Sequence, residues 1–86
     1  MRIIATIPHP DIHISVFQFN DKYIVKLEAG PMEQSFKFTT EEVNGAEDIR
    51  KLMDGEFMRK ALERFKEMFL AYKEAKERFE RSDRLA

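Results

Sequence analysis

The sequence predicts an α+β fold: an antiparallel β-meander of three to four strands packed on a long C-terminal α-helix, with a short helix between. Three observations predict it. Residues 12–19 and 22–29 alternate apolar and polar side chains with period two. The pairs Asn20-Asp21 and Gly30-Pro31 stand between alternating runs as turn signals. Residues 56–81 contain neither Pro nor Gly and repeat their apolar side chains at helical spacing.

Length makes the chain a single domain over residues 1–86, too short for two independent cores. Hydrophobic residues at 43% and charged residues at 36% exclude a disordered or low-complexity chain. Fifteen Lys and Arg against sixteen Asp and Glu leave a net charge of −1, which argues against binding nucleic acid by bulk charge. There is no cysteine, hence no disulfide framework, thiol nucleophile or cysteine zinc site. The opening run Met1 to Pro8 is too short for a signal peptide or a membrane span, so a soluble, cytoplasmic protein is expected.

The strand register can be derived from the turns. With Asn20-Asp21 as a two-residue loop, Val16 faces Val25, Ile14 faces Leu27 and Phe17 faces Ile24. With Gly30-Pro31 as another, Val25 faces Phe36 and Tyr23 faces Phe38 in the run 32–39. Both loops then gather Ile12, Ile14, Val16, Tyr23, Val25, Leu27, Phe36 and Phe38 on one face, and a slip of one residue would scatter them. Residues 2–7 are a further short strand, with Ile3, Ala5 and Ile7 on one side. Pro8-His9-Pro10 forces a turning or extended connection after it, which leaves open whether this strand pairs with 12–19 or forms an arm.

Thr39-Thr40-Glu41-Glu42 has the form of a capping box, and Asn44-Gly45-Ala46-Glu47 is a second candidate helix start. A short helix over 46–53 would bury Ile49, Leu52 and Met53. Asp54-Gly55 interrupts it, and Asp54 can cap the long helix over 56–81. That helix carries one apolar stripe: Met58, Ala61, Leu62, Phe65, Met68, Phe69, Tyr72, Ala75 and Phe79. Glu74–Arg78, Glu77–Arg81 and Glu80–Arg84 have the favourable i,i+4 order, each worth ~0.3 kcal/mol. Such a helix is about 39 Å long, whereas an eight-residue strand covers about 27 Å. The tail beyond Tyr72 should therefore overhang the sheet, yet Ala75 and Phe79 continue the stripe there. A second copy of the chain, touching Tyr72, Ala75 and Phe79, is the expected cover, and fraying of the tail is the alternative.

Residues with catalytic potential are sparse. His9, Asp11 and His13 have metal-ligand identities, but His9 and His13 would lie about 13 Å apart along a strand, a span that ligation at ~2.1 Å barely closes unless a bend at Pro10 brings them together. A solvated loop with His13 across from Glu28 is the simpler reading, and no metal is assigned. Asp11, His13 and Ser15 share triad residue types but do not converge along a strand. Gly30, Gly45 and Gly55 stand too far apart for a phosphate loop. Glu41-Glu42 complements a helix start. No catalytic residue and no cofactor is assigned, and an enzyme is not expected.

The outer sheet face is more informative. The register assigns it Phe17, Phe19 and Ile24, an apolar cluster beside Lys22, Lys26 and Lys37. Contiguous exposed aromatics mark a protein contact. Aromatic rings beside lysines are also the composition of a stacking platform for single-stranded nucleic acid. Glu28 and Glu33, at the far end of the same face, would repel such a strand. The basic run Arg59, Lys60, Arg64 and Lys66 is a solvated helix face, and Met53, Met58 and Met68 are core filler.

A meander followed by one long C-terminal helix resembles the element order of small dimeric single-strand-binding cofactor domains of the Whirly type. In those domains basic and aromatic residues lie on the sheet, and here the Phe17, Phe19, Lys22, Lys26 and Lys37 cluster is what resembles them. The expectation is a small, non-enzymatic protein-interaction domain that self-associates, as a homodimer, with an unidentified protein partner as a further possibility. The alternative is a single-stranded nucleic-acid-binding module that uses the outer sheet face.

Overall fold

The computed structural model describes residues 1–85, with side chains through residue 82. Four strands, β1 (Arg2–Ile7), β2 (His13–Phe19), β3 (Lys22–Ala29) and β4 (Met32–Thr39), precede two helices, α1 (Gly45–Leu52) and α2 (Gly55–Leu85). The strands form one antiparallel sheet in the order β1-β2-β3-β4. The class is α+β, as the sequence predicts.

Both two-residue loops form, and the first residue of each adopts a left-handed conformation: Asn20 at φ 56° and Gly30 at φ 58°. Glycine does so freely, and asparagine is among the few other residues that tolerate it. These turns fix the register. Val16 faces Val25, Ile14 faces Leu27, Val25 faces Phe36 and Tyr23 faces Phe38. The inner face so assembled holds Ile14, Val16, Val25 and Leu27 almost wholly out of water, at about 1.5–3 kcal/mol each. Phe36 and Phe38, on the edge strand, are only half-buried against that core.

The first strand joins the sheet beside β2, which answers the question that its sequence leaves open. Its alternation is broken. A register shift between Ile3 and Ala5 makes Ile4 an extra residue, so Ala5 and Ile7 face the core while Ile3 lies beside Phe17 on the outer face. The expected grouping of Ile3 with Ala5 and Ile7 is therefore corrected by one bulge.

The capping box at Thr39 forms without a helix. Thr39 N–H and Oγ1 each donate to Glu42 Oε1 at 3.0 Å, and Glu42 N–H donates to Thr39 Oγ1 at 3.2 Å. It closes an isolated turn instead, because the next helix begins only at Gly45. There Asn44 N–H donates to Asp48 Oδ2 at 2.8 Å. In α1, Ile49 is fully buried and Met53, four residues on, follows it inward. Leu52 falls on the flank and is 41% exposed, contrary to its expected core role.

Asp54 caps α2 as expected, accepting Phe57 N–H at 2.9 Å. The first half of α2 lies on the sheet through Met58, Ala61 and Phe65, all buried. Phe57 meets Phe36 of β4 edge to face, with ring centres 5.1 Å apart. The helix is longer than expected, running to Leu85, and so spans about 46 Å. It gives the molecule its elongated extents of 54 × 27 × 19 Å. No helix among the described residues is long and apolar enough to cross a membrane.

Candidate interaction surfaces

Two apolar surfaces remain after the core is filled. One is built on α2. Met58, Ala61, Phe65 and Met68 are spaced three and four apart, and the same spacing continues through Tyr72, Ala75, Phe79 and Ser82. This is the a/d seam of a heptad repeat, apolar up to Ser82. The sheet covers only its first half. Met68 is the last residue packed on the core, and every residue from Phe69 to Ser82 is exposed. Phe69 and Tyr72 are each 45% exposed, Leu70 55% and Phe79 70%. The extension from Phe69 to Leu85 projects about 25 Å beyond the sheet. The expected contacts Tyr72, Ala75 and Phe79 all lie on it, and the overhang starts a turn earlier than length alone implies.

Where α2 leaves the sheet, an open groove of about 700 Å³ runs between the helix and the ends of two strands. Ile12 and Ala29 form its sheet side, and Leu62, Phe65, Phe69 and Leu70 form its helix side. Phe69 and Leu70 widen the apolar face on the flank of the seam at this point. Sequence periodicity includes Phe69 in the stripe but misses Leu70, which lies off the helical period. The partnership with Ile12 and Ala29 requires knowing where the helix crosses the sheet.

The second surface is the outer sheet face. Direct cross-strand neighbours line up as Ile3, Phe17, Ile24 and Lys37 in one row, and as Phe19, Lys22 and Thr39 in the next. Phe17, Phe19 and Ile24 are thus brought together with Lys22 and Lys37 as the register predicts. Ile3 is an addition that only the bulge reveals, and it is about half exposed, as is Phe19. Phe17 and Ile24 are partly covered. Lys26 accounts for some of that cover: its Nζ sits 5.4 Å from the Phe17 ring centre and 3.9 Å from Glu33 Oε1. Its charge is held by an aromatic face and a carboxylate on its own sheet, which lowers what it can offer an incoming phosphate.

The histidine segment folds on itself. Asp11 N–H donates to His9 Nδ1 at 3.1 Å, and His13 sits across from Glu28 in the ladder. Among the described residues, no three His, Cys, Asp or Glu side chains converge as a metal site would require. Of the helix ion pairs, Arg59–Glu63 closes at 2.9 Å and Lys60–Glu56 at 3.6 Å. The expected pairs Glu74–Arg78 and Glu77–Arg81 do not close, consistent with the small gain from exposed pairs. Arg84 lies outside the residues whose side chains are described.

No protein-family model, curated protein or solved structure matches the chain. The resemblance to single-strand-binding cofactor domains accordingly rests on element order.

Proposed function

We propose that the protein is a non-enzymatic interaction domain that works by self-association, with the extension of α2 as its contact surface. One observation carries this reading: a single apolar seam serves as core in its first half and stands in water in its second. The exposed half gains no tertiary packing from its own sheet, and pairing the seam would supply it. The groove at the root of the extension is lined mainly by apolar side chains, with Asp11 and Lys66 its ionisable groups. Such a surface suits burial against protein better than chemistry on a polar substrate.

Solution mass by size-exclusion chromatography with light scattering tests it, over a tenfold concentration range. The expected mass approaches twice 10.2 kDa at the upper end. A monomer throughout would overturn the reading.

A second reading places single-stranded nucleic acid on the outer sheet face. Phe19 favours it, being half exposed beside Lys22 and Lys37. Fluorescence anisotropy with labelled single-stranded DNA and RNA decides. Salt-sensitive binding that is lost in Phe19→Ala would establish this second function, and no binding at low salt would remove it.

A further inference from the structure

We infer that two copies also pair edge to edge through β4, antiparallel, with Ser35 opposite the partner's Ser35, in a contact separate from the α2 extension.

The edge is defined by where its backbone points. Along an edge strand, successive residues direct their N–H and C=O groups alternately to the neighbouring strand and away from it. Thr40 N–H donates to the Asp21 carbonyl at 2.9 Å, in line with the β3–β4 ladder, so the even-numbered residues of β4 bond to β3. The odd-numbered ones point outwards from the last strand of the sheet. Thr39 has its groups in use: its N–H donates to Glu42 Oε1, and its carbonyl accepts the N–H groups of Glu42 at 3.1 Å and Val43 at 3.3 Å. Glu33, Ser35 and Lys37 remain, all exposed, each offering an N–H and a C=O. The opposite edge is blunted, because the bulge at Ile4 breaks the regular spacing that a strand beside β1 would need.

Register follows from those three residues. With Ser35 on a two-fold axis, Glu33 lies opposite the partner's Lys37, and Lys37 opposite the partner's Glu33. Every free group of the edge then finds a partner, and an ion pair forms on each side of the axis. The neighbouring registers do worse. One sets Lys37 against the partner's Pro31, which has no N–H, and the other needs Thr39, whose groups Glu42 and Val43 hold. Registers centred on Glu33 or on Lys37 oppose like charges. Charged side chains on an edge ordinarily keep other strands off. Here they attract in the one register that uses every free group.

Packing agrees. The axis stands perpendicular to the sheet, so the helices of both copies lie on the same face of one continuous sheet, and the contact closes after two copies. Met32, Gln34, Phe36 and Phe38, the inner-face residues of β4, are each only partly buried, so α2 does not roof the edge. In the pair, Phe36 lies opposite the partner's Gln34 and Phe38 opposite the partner's Met32, which adds cover to both rings. The extension of α2 leaves the sheet beside Ile12 and Ala29, so both contacts can form on one copy. One strand from each copy buries less than the ~1,200 Å² of a stable specific interface. The edge contact is therefore weak, fills in concentrated protein, and adds to pairing through α2.

Amide hydrogen exchange read by NMR, from dilute to millimolar protein, tests it. The Glu33, Ser35 and Lys37 amides should slow together as concentration rises, by about tenfold once about nine-tenths of the chains are paired. The Thr39 amide, bonded to Glu42, should not respond to concentration. Phe79→Ala, which weakens the α2 contact, should leave the slowing in place. Lys37→Glu turns both ion pairs into like-charge pairs and should abolish it, and combining it with Glu33→Lys should restore it. Exchange at the three amides that ignores concentration overturns the edge contact and leaves pairing through α2 standing. Slowing that survives Lys37→Glu overturns the register. Slowing at the three amides in a protein whose mass is the same in wild type and Phe79→Ala would instead overturn the α2 contact and keep this one.

Discussion

Gln34 Nε2 donates to the carbonyl oxygen of Ala61 at 2.9 Å, tying the edge strand β4 to the second turn of α2. The bond fixes the rotation of the helix on the sheet. With Ala61 held inward, Met58 and Phe65 face the core, and the rigid helix carries Tyr72, Ala75 and Phe79 out on the same side. A partly buried hydrogen bond of this kind contributes about 1 kcal/mol. Gln34→Ala should therefore lower Tm by about 4–8 °C. Gln34→Glu should do more harm, since it turns an oxygen towards the Ala61 carbonyl. A Gln34→Glu protein that melts with wild type would show that apolar packing alone orients the helix.

Asn20 bears the left-handed φ that closes the first hairpin. Glycine meets that demand without a Cβ, whereas a β-branched residue meets it badly. Asn20→Gly is expected to fold with stability close to wild type, and Asn20→Val to lose about 1–2 kcal/mol in urea unfolding. Equal losses in both would mean that the Asn20 side chain, rather than its backbone, matters.

Glu42 is held below the ordinary carboxylate range, first by the Thr39 backbone N–H and then by the Thr39 hydroxyl, both donating to it. A carboxylate lowered on folding contributes stability above its unfolded pKa and loses it as pH falls through the folded value. The turn between β4 and α1 should therefore weaken under acid. A carboxyl-carbon NMR titration should show Glu42 titrating below the free side chain, and Thr39→Val, which removes the hydroxyl but keeps the backbone donor, should raise it only part of the way back. An unmoved Glu42 in Thr39→Val would mean that the hydroxyl contributes nothing and the backbone N–H alone holds it.

The sheet was legible because two loops of fixed length each constrain the same set of side chains. Val16, Val25 and Leu27 share a face under one register only, so local turn chemistry and hydrophobic pattern had to agree. The bulge at Ile4 was not legible: one extra residue in a six-residue strand leaves no periodic signature, and it moves Ile3 to the outer face. The Thr39 box was legible as chemistry but not as a helix, because Glu42 and Thr39 can bond around a lone turn. Tyr72, Ala75 and Phe79 were readable as surplus from helix length alone. The groove beside them was not, since Ile12 and Ala29 meet Phe69 and Leu70 only through the crossing of helix and sheet.

The two halves of the seam should respond differently to truncation. Leu27, beneath the first half, is fully buried, and Leu27→Ala should cost about 2–5 kcal/mol, a large share of the roughly 5–15 kcal/mol that holds such a domain together. Phe79 is 70% exposed and lies beyond the sheet, so Phe79→Ala should leave the Tm of dilute protein unchanged. At high concentration, where wild type gains stability by mass action, the variant should not. Thermal melts at two concentrations a hundredfold apart read both effects. A Tm loss in dilute Phe79→Ala would mean that the extension folds back on its own domain; a concentration-independent wild type would mean that nothing pairs with it.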